Sequence, residues 1–497
     1  MFLVIAVTAL SATFGTQQAN HRKLIQRIDP SDSRVAYTGR WNFSDPDRPW
    51  CGWQGASFVV NFNGTKLWAD LDAGTLTEYF RVIIDDDHAR SKKIAVTSSR
   101  ATYALTPRMP LGVHKVEVVK ESYAGRNATL FGLEVRGVGL DEPPVRPLRK
   151  IEFYGDSNLA GYSLENEQNN GANVFVGCHF GYAGITARMF AAEYHNVSAS
   201  GETISSLHNR YDRMDWWTPN PQWDFGNFLA DLVVVNLGAN DVGSPVNQIK
   251  ADYHAFLDDL RAVHPNAHIM LFNSWGWDFD EPANYIHEVI AERNDSDMSS
   301  AIFPWLFEQW HGCEFDHAGM ANVLAEHVSN VLGWTYAPAD VVSGYGVGGD
   351  VANGGFEQDA PFGGFGWRYK DAPGVTRMND PDGAYEGGYF ARLTNADEIH
   401  QPNPANNGNE VMVTWWARGP GANDEMDVVI DFRSQQIYTV PLQVSTETFA
   451  LTNVWQQFSM RATAPSNAPD PVYQTRLTLK ARPNSTVDVD GVVMSTQ

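Results

Sequence analysis

Ser157 closes the segment Ile151-Glu-Phe-Tyr-Gly155-Asp156-Ser157, directly after an apolar run that reads as a short buried strand. A serine hydroxyl attacks a carbonyl only when a neighbouring imidazole takes its proton. The oxyanion then needs preorganised donors, and losing one costs about 2.7–4 kcal/mol. Alone, Gly-Asp-Ser also suits a turn or an N-cap. Three later features change that weighting. Gly201 follows a strand in Ser198-Ala-Ser-Gly201-Glu-Thr, Gly238-Ala-Asn240-Asp241 follows Asp231-Leu-Val-Val-Val-Asn-Leu237, and His317 stands at the mouth of the last α/β helix in Cys313-Glu-Phe-Asp-His317. Together they make an acyl-transfer set. Ser157 is the nucleophile and His317 its base. The backbone N–H groups of Ser157 and Gly201 with the Asn240 side-chain amide form an oxyanion hole. Asp241 braces the turn that aims Asn240.

These residues need strand ends to hold them. From Arg149 onward, apolar strands alternate with helices: Lys150–Tyr154, a helix over 181–194, strands at His195–Ala199, Asp231–Leu237 and His268–Phe272, and a last helix from about Ala318. Val246–Val263 is amphipathic, with Ile249, Tyr253, Phe256, Leu257 and Leu260 on one face. That alternation predicts a parallel sheet with helices on both sides, and ligands collect at the carboxyl ends of such strands. Residues 25–145 read instead as short alternating strands, with a hairpin expected at Asn63-Gly64. The prolines of 141–147 make a stiff linker. After a Gly-rich stretch, residues 340–497 return to strands. The fold class expected is therefore α/β: a catalytic unit at 149–335 between β-sandwiches at 25–145 and 340–497.

Composition sets the outer limits. The 497 residues suit about three domains. With 36 Lys+Arg against 59 Asp+Glu, the net charge of −23 argues against a nucleic-acid partner or an anionic membrane. Aromatic content of 12% suits flat ligands such as sugars, though core packing claims most rings. Met1–Ala12 reads as a secretory apolar segment within 1–20, so export is expected, although its n-region lacks Lys and Arg. Asn-x-Ser/Thr sequons begin at Asn42, Asn63, Asn127, Asn196, Asn294 and Asn484. Three cysteines exclude a disulfide scaffold, and no spacing suggests zinc. If a bridge forms, Cys178–Cys313 is the expected pair.

Gly155-Asp-Ser157, Gly201, Gly238-x-Asn240-Asp241 and His317 resemble the four blocks of the SGNH (GDSL) hydrolase superfamily. Upstream, Gly39–Asp47, Trp53, Phe80–Asp85 and His114–Lys120, running through the proline linker into Arg149–Ser157, are similar to carbohydrate esterase family 2, the acetyl xylan esterases. The resemblance covers roughly residues 30 to 335. It implies a three-layer α/β/α domain behind a β-sandwich, and removal of acetyl groups from xylan and related polysaccharides without a catalytic cofactor or metal. The superfamily's acid commonly sits three residues before the histidine, which here is Glu314. Asp316, better placed to cap the helix, and a backbone carbonyl remain the alternatives. Asn158 departs from the family's usual Ile or Val, and no proline follows His317.

His311 could line the cleft, and His327 packs on the last helix. Trp275 and Trp277, in Asn273-Ser-Trp275-Gly-Trp277 after a strand end, are the candidate sugar platforms, ahead of Trp216-Trp217 and Trp223. The C-terminal segment resembles jelly-roll carbohydrate-binding modules, in which Glu357 and Asp490 would help hold a structural calcium ion. The function expected is a secreted serine esterase that deacetylates a polysaccharide. A lipase or thioesterase on the same fold and a non-catalytic polysaccharide-binding protein are the alternatives.

Overall fold

The computed structural model describes residues 25–497 except 167–168, 275–281, 304–310, 340–350, 352, 358–366, 368–372, 422, 435–439 and 469. Met1–Ala12, Trp275 and Trp277 lie outside the described residues.

Five parallel strands form the sheet that carries the site, in the order Ala192–Ser198, Arg149–Gly155, Leu232–Asn236, His268–Ser274, Met298–Phe303. The central Leu232–Asn236 is buried at every position, as a strand covered on both faces must be. On one face, Ile185 and Met189 of the helix Tyr182–Met189 pack with Met320, Leu324 and Val328 of the helix Glu314–Leu332. On the other, Ile249, Tyr253, Phe256, Leu257 and Leu260 of Val246–Val263 meet Ile204 and Leu207, with Ile286 and Val289 from Pro282–Arg293. The expected three-layer α/β/α unit is present.

Three details differ from expectation. The first helix ends at Met189. Ala191 turns the chain with a positive φ of 48°, and Ala192–Ser198 pairs as a strand. The helix Pro282–Arg293 and the edge strand Met298–Phe303 were not anticipated. In the latter, Ser299 and Ser300 hide the apolar pattern. The hairpin at Asn63-Gly64 is also absent, because Ser57–Asp72 is one 16-residue strand. A Cβ on Gly64 would lie 2.7 Å from the Arg136 carbonyl oxygen, and one on Gly137 would lie 2.3 Å from the Gly64 Cα. The glycines therefore serve a close, bulged strand approach rather than a turn. This long strand pairs early with Gly112–Lys120 and late with Ala101–Ala104, so it crosses between the layers of the N-terminal sandwich.

The C-terminal unit faces a five-stranded antiparallel sheet against a four-stranded one over a core that includes Trp367, Trp415 and Leu477. Cys51, Cys178 and Cys313 are buried and none is in a disulfide, so the expected Cys178–Cys313 bridge is not formed. The pair belongs to separate packing clusters, Cys178 with Ile83 and Val119, and Cys313 with the catalytic core.

The N-terminal sandwich is locked onto the α/β unit by buried side chains. Arg40 pairs with Glu152 at 2.6 Å, and His264 reaches the other Glu152 oxygen at 2.8 Å, with all three side chains fully buried. Burial alone would raise the Glu152 pKa; Arg40 and the flanking histidines outweigh it and hold the carboxyl well below its usual range. Trp53 joins the core beneath the sheet, and Gln54 donates to Asn196 at 2.9 Å.

Candidate active site

Ser157 lies two residues past the strand Arg149–Gly155, in a turn that only glycine can enter. A Cβ on Gly155 would come 2.8 Å from Leu159 and 2.9 Å from the Asn236 carbonyl oxygen. Asp156 accepts the Asn158 N–H at 3.0 Å, and the Ser157 carbonyl accepts the Tyr162 N–H at 3.0 Å. The serine is 7% exposed.

The imidazole on this serine belongs to His311. Its Nε2 is 3.0 Å from Ser157 Oγ. His317, the base expected from the sequence, is turned away and fully buried. Its Nδ1 accepts the Tyr182 N–H at 3.2 Å, and its Nε2 donates to the His311 carbonyl at 2.9 Å. The reason is where the helix begins. It starts at Glu314, not Ala318, because Asp316 accepts the Cys313 N–H at 2.8 Å as the third residue of a capping box. His317 therefore sits in the first helical turn facing the core, and the loop before it presents His311. That capping pattern was the signal in the sequence that could have moved the base.

Nor does Glu314 reach either ring. It is buried at the first helical position, and the four imidazole nitrogens have other partners. The group on His311 Nδ1 is the Asn169 side-chain oxygen, at 2.7 Å. The polar Asn158 also finds its use here, donating to the His311 carbonyl at 3.0 Å. Burial and then the charge of His317 lower the His311 pKa to about 4, so its ring is neutral above that pH.

The other expected site residues lie on the loops that follow the neighbouring strands Ala192–Ser198 and Leu232–Asn236. Gly201 has φ +81°, and a Cβ there would meet nothing within 4 Å. The backbone N–H groups of Ser157 and Gly201 donate to no group among the described residues. Asn240 Nδ2 donates to the carbonyl of Glu202 at 2.9 Å and lies 3.4 Å from Asp156 Oδ2. Asp241 accepts the Ile204 N–H at 3.2 Å, tying the Asn240 turn to the Gly201 loop. Burial raises Asp156 to about 8, with Asp241 adding to it, so this carboxyl is protonated at neutral pH.

Other expectations fare unevenly. Trp216 packs edge-on to Tyr123 and Trp217 is 41% exposed, while Trp223 stands against His195. His327 lies 3.4 Å from Ser299 in a packing role. At the two residues expected to help hold calcium, the carboxylates accept backbone N–H groups. Glu357 Oε1 accepts the Gly388 and Tyr389 N–H groups at 2.8 and 3.0 Å, and Asp490 accepts three N–H groups of its own, from Tyr385, Glu386 and Gly491. Among the described residues no three His, Cys, Asp or Glu side chains gather as a metal site.

Residues 37–144 match the carbohydrate esterase 2 N-terminal domain, and residues 153–301 match the GDSL-like lipase/acylhydrolase family. The chain is similar to the family 2 carbohydrate esterases in carrying these two matches in this order. It is 28% identical over 337 residues to the cellulase/esterase CelE of Acetivibrio thermocellus, covering 62% of this chain and 41% of that relative. The chain thus spans about two-fifths of that relative's length. An acetylxylan esterase/glucomannan deacetylase of Cellvibrio japonicus is 25% identical over 364 residues, covering 67% of this chain and 100% of the relative. A family two carbohydrate esterase from Clostridium thermocellum, solved with cellohexaose, superposes with a TM-score of 0.57 at 26% identity, covering 60% of this chain and 99% of that one. The motif residues of the N-terminal esterase domain are those that join it to the hydrolase: Arg40, Trp53 and Arg81 are all buried.

Proposed function

We propose that the protein is a serine carbohydrate esterase that removes O-acetyl groups from a polysaccharide of the xylan or glucomannan type. The observation that carries this is the Ser157–His311 pair at 3.0 Å beside the Gly201 and Asn240 donors. Ser157 Oγ bonds to the acetyl carbonyl carbon while His311 Nε2 takes the hydroxyl proton. The carbonyl oxygen becomes an oxyanion facing the N–H groups of Ser157 and Gly201 and the Asn240 amide. Collapse breaks the bond to the sugar oxygen, which leaves with the proton from His311. Water then repeats the sequence on the acetyl-enzyme, releasing acetate and restoring the serine.

The polysaccharide substrate is supported by the relatives' activities, and the apolar run at Met1–Ala12 supports export. The C-terminal sandwich fits a glycan-binding role: Tyr385, 40% exposed, stacks on Trp416 at 3.8 Å with Trp455 edge-on. The test is acetate release from acetylated xylan and acetylated glucomannan by wild type and Ser157→Ala. Release lost with the serine supports the reading. Equal release by both proteins, or turnover confined to long-chain acyl esters, overturns it.

A further inference from the structure

We infer that the Asn169 amide stands where a serine hydrolase ordinarily places a carboxylate, orienting His311 and fixing its tautomer as a positioning residue. The inference rests on the Ser157–His311 reading of the site.

For Nε2 to accept the serine proton, Nδ1 must carry a hydrogen and have an acceptor for it. Asn169 Oδ1 lies 2.7 Å from Nδ1. The same oxygen accepts the hydroxyl of Ser163 at 3.1 Å, and Ser163 is fully buried. Asn169 has φ +56°, a left-handed conformation that asparagine tolerates better than most side chains.

The loop around it is built to hold this contact. Tyr162 packs its ring 4.5 Å from that of His311, and a Cβ on Gly171 would fall 1.9 Å from Tyr162 Cζ, so only glycine leaves room for that ring. Further along, Glu165 pairs with Arg81 and, at 2.8 Å, with Lys93, both from the N-terminal sandwich. Lys93 also donates to the Val176 carbonyl at 2.6 Å. The loop that carries the orienting amide is thereby pinned from the neighbouring domain.

An amide orients the ring but adds no negative charge. A carboxylate at the same place would favour the imidazolium and raise its pKa. Among the described residues, the titratable side chains that face His311 are Tyr162, from the same loop, and His317, from the helix Glu314–Leu332.

The test uses the full chain with 15N-labelled histidine. In wild type the His311 resonances should report a neutral ring protonated at Nδ1. Asn169→Asp should move both the His311 titration and the acid limb of kcat/KM upward by about one unit or more. Asn169→Ala should lower kcat by about 10- to 100-fold while KM changes less than about 2-fold. A wild-type ring protonated at Nε2, an Asn169→Asp titration unmoved from wild type, or an Asn169→Ala kcat within about 2-fold of wild type overturns the inference. The wild-type tautomer measurement stands even if a variant fails to fold. If acetyl esters are not turned over at all, the esterase reading fails, while the NMR readings still decide the role of Asn169.

Discussion

His317 holds His311 by its backbone rather than serving beside it as a second base. The His317 Nε2–H donates to the His311 carbonyl at 2.9 Å, and the Asn158 amide donates to the same oxygen at 3.0 Å. One carbonyl thus ties together the nucleophile turn, the base loop and the helix Glu314–Leu332. The His317 tautomer is fixed as well, because its Nδ1 must stay unprotonated to accept the Tyr182 N–H. With both pKa values lowered to about 4, both rings are neutral at pH 7.

The pH dependence follows from these groups. His311 accepts a proton only when neutral, and its pKa is lowered to about 4, first by burial. Esterase kcat/KM should therefore hold level from neutral pH down to about 5 and fall only below that, rather than near the ordinary histidine value of about 6.5. Stability has its own signature. His311 and His317, both lowered to about 4, contribute stability above the unfolded value that is lost as pH falls from 6.5 towards 4. Asp156 acts oppositely: raised to about 8, it contributes stability at low pH that is lost as pH rises between 3.8 and 8. Denaturant melts of Asp156→Asn across that window should lack this second slope.

Gly201 should be sensitive for a local reason. Its φ of +81° is costly for any side chain, and its Cβ position opens into the crevice rather than into protein. Gly201→Ala should fold with a loss of about 1–2 kcal/mol from the backbone conformation. Its kcat should fall about 100-fold, as expected for a misplaced oxyanion donor. Thermal unfolding and steady-state kinetics on a chromogenic acetate check the two effects separately.

The N-terminal sandwich should not be dispensable. Arg81 is buried with Glu121 and Glu165, one from its own domain and one from the loop after Ser157. Arg81→Leu would leave two carboxylates without their common cation, a loss on the order of 3–5 kcal/mol. Guanidinium unfolding should show the drop, and activity should fall with it because the Asn169 loop loses its anchor. Full activity in Arg81→Leu would count against this coupling.

What the sequence revealed, it revealed locally. Gly155-Asp-Ser157, Gly201 and Asn240 each follow a buried strand within a few residues, so the strand ends that position them could be read directly. The Val246–Val263 stripe could be read in the same way, since its five apolar positions share one helical face. His311 was hidden because its role depends on where the next helix starts, a matter of four residues at a cap. Asn169 was hidden more deeply. It reaches His311 across 142 positions of sequence, and an amide in a Gly- and Asn-rich loop carries no mark of chemistry. Gly64 misled for a similar reason: a turn glycine and a bulge glycine look alike until the opposing strand is present.

The most direct measurement compares kcat on an acetyl ester for His311→Gln and His317→Gln, with folding checked by circular dichroism. His311→Gln should lose about 1,000-fold or more, leaving only what binding and the oxyanion donors supply. His317→Gln, whose amide can still donate to the His311 carbonyl, should retain activity within about 30-fold of wild type. The opposite order, with His317→Gln inactive though folded and His311→Gln near wild type, would contradict the assignment of the base.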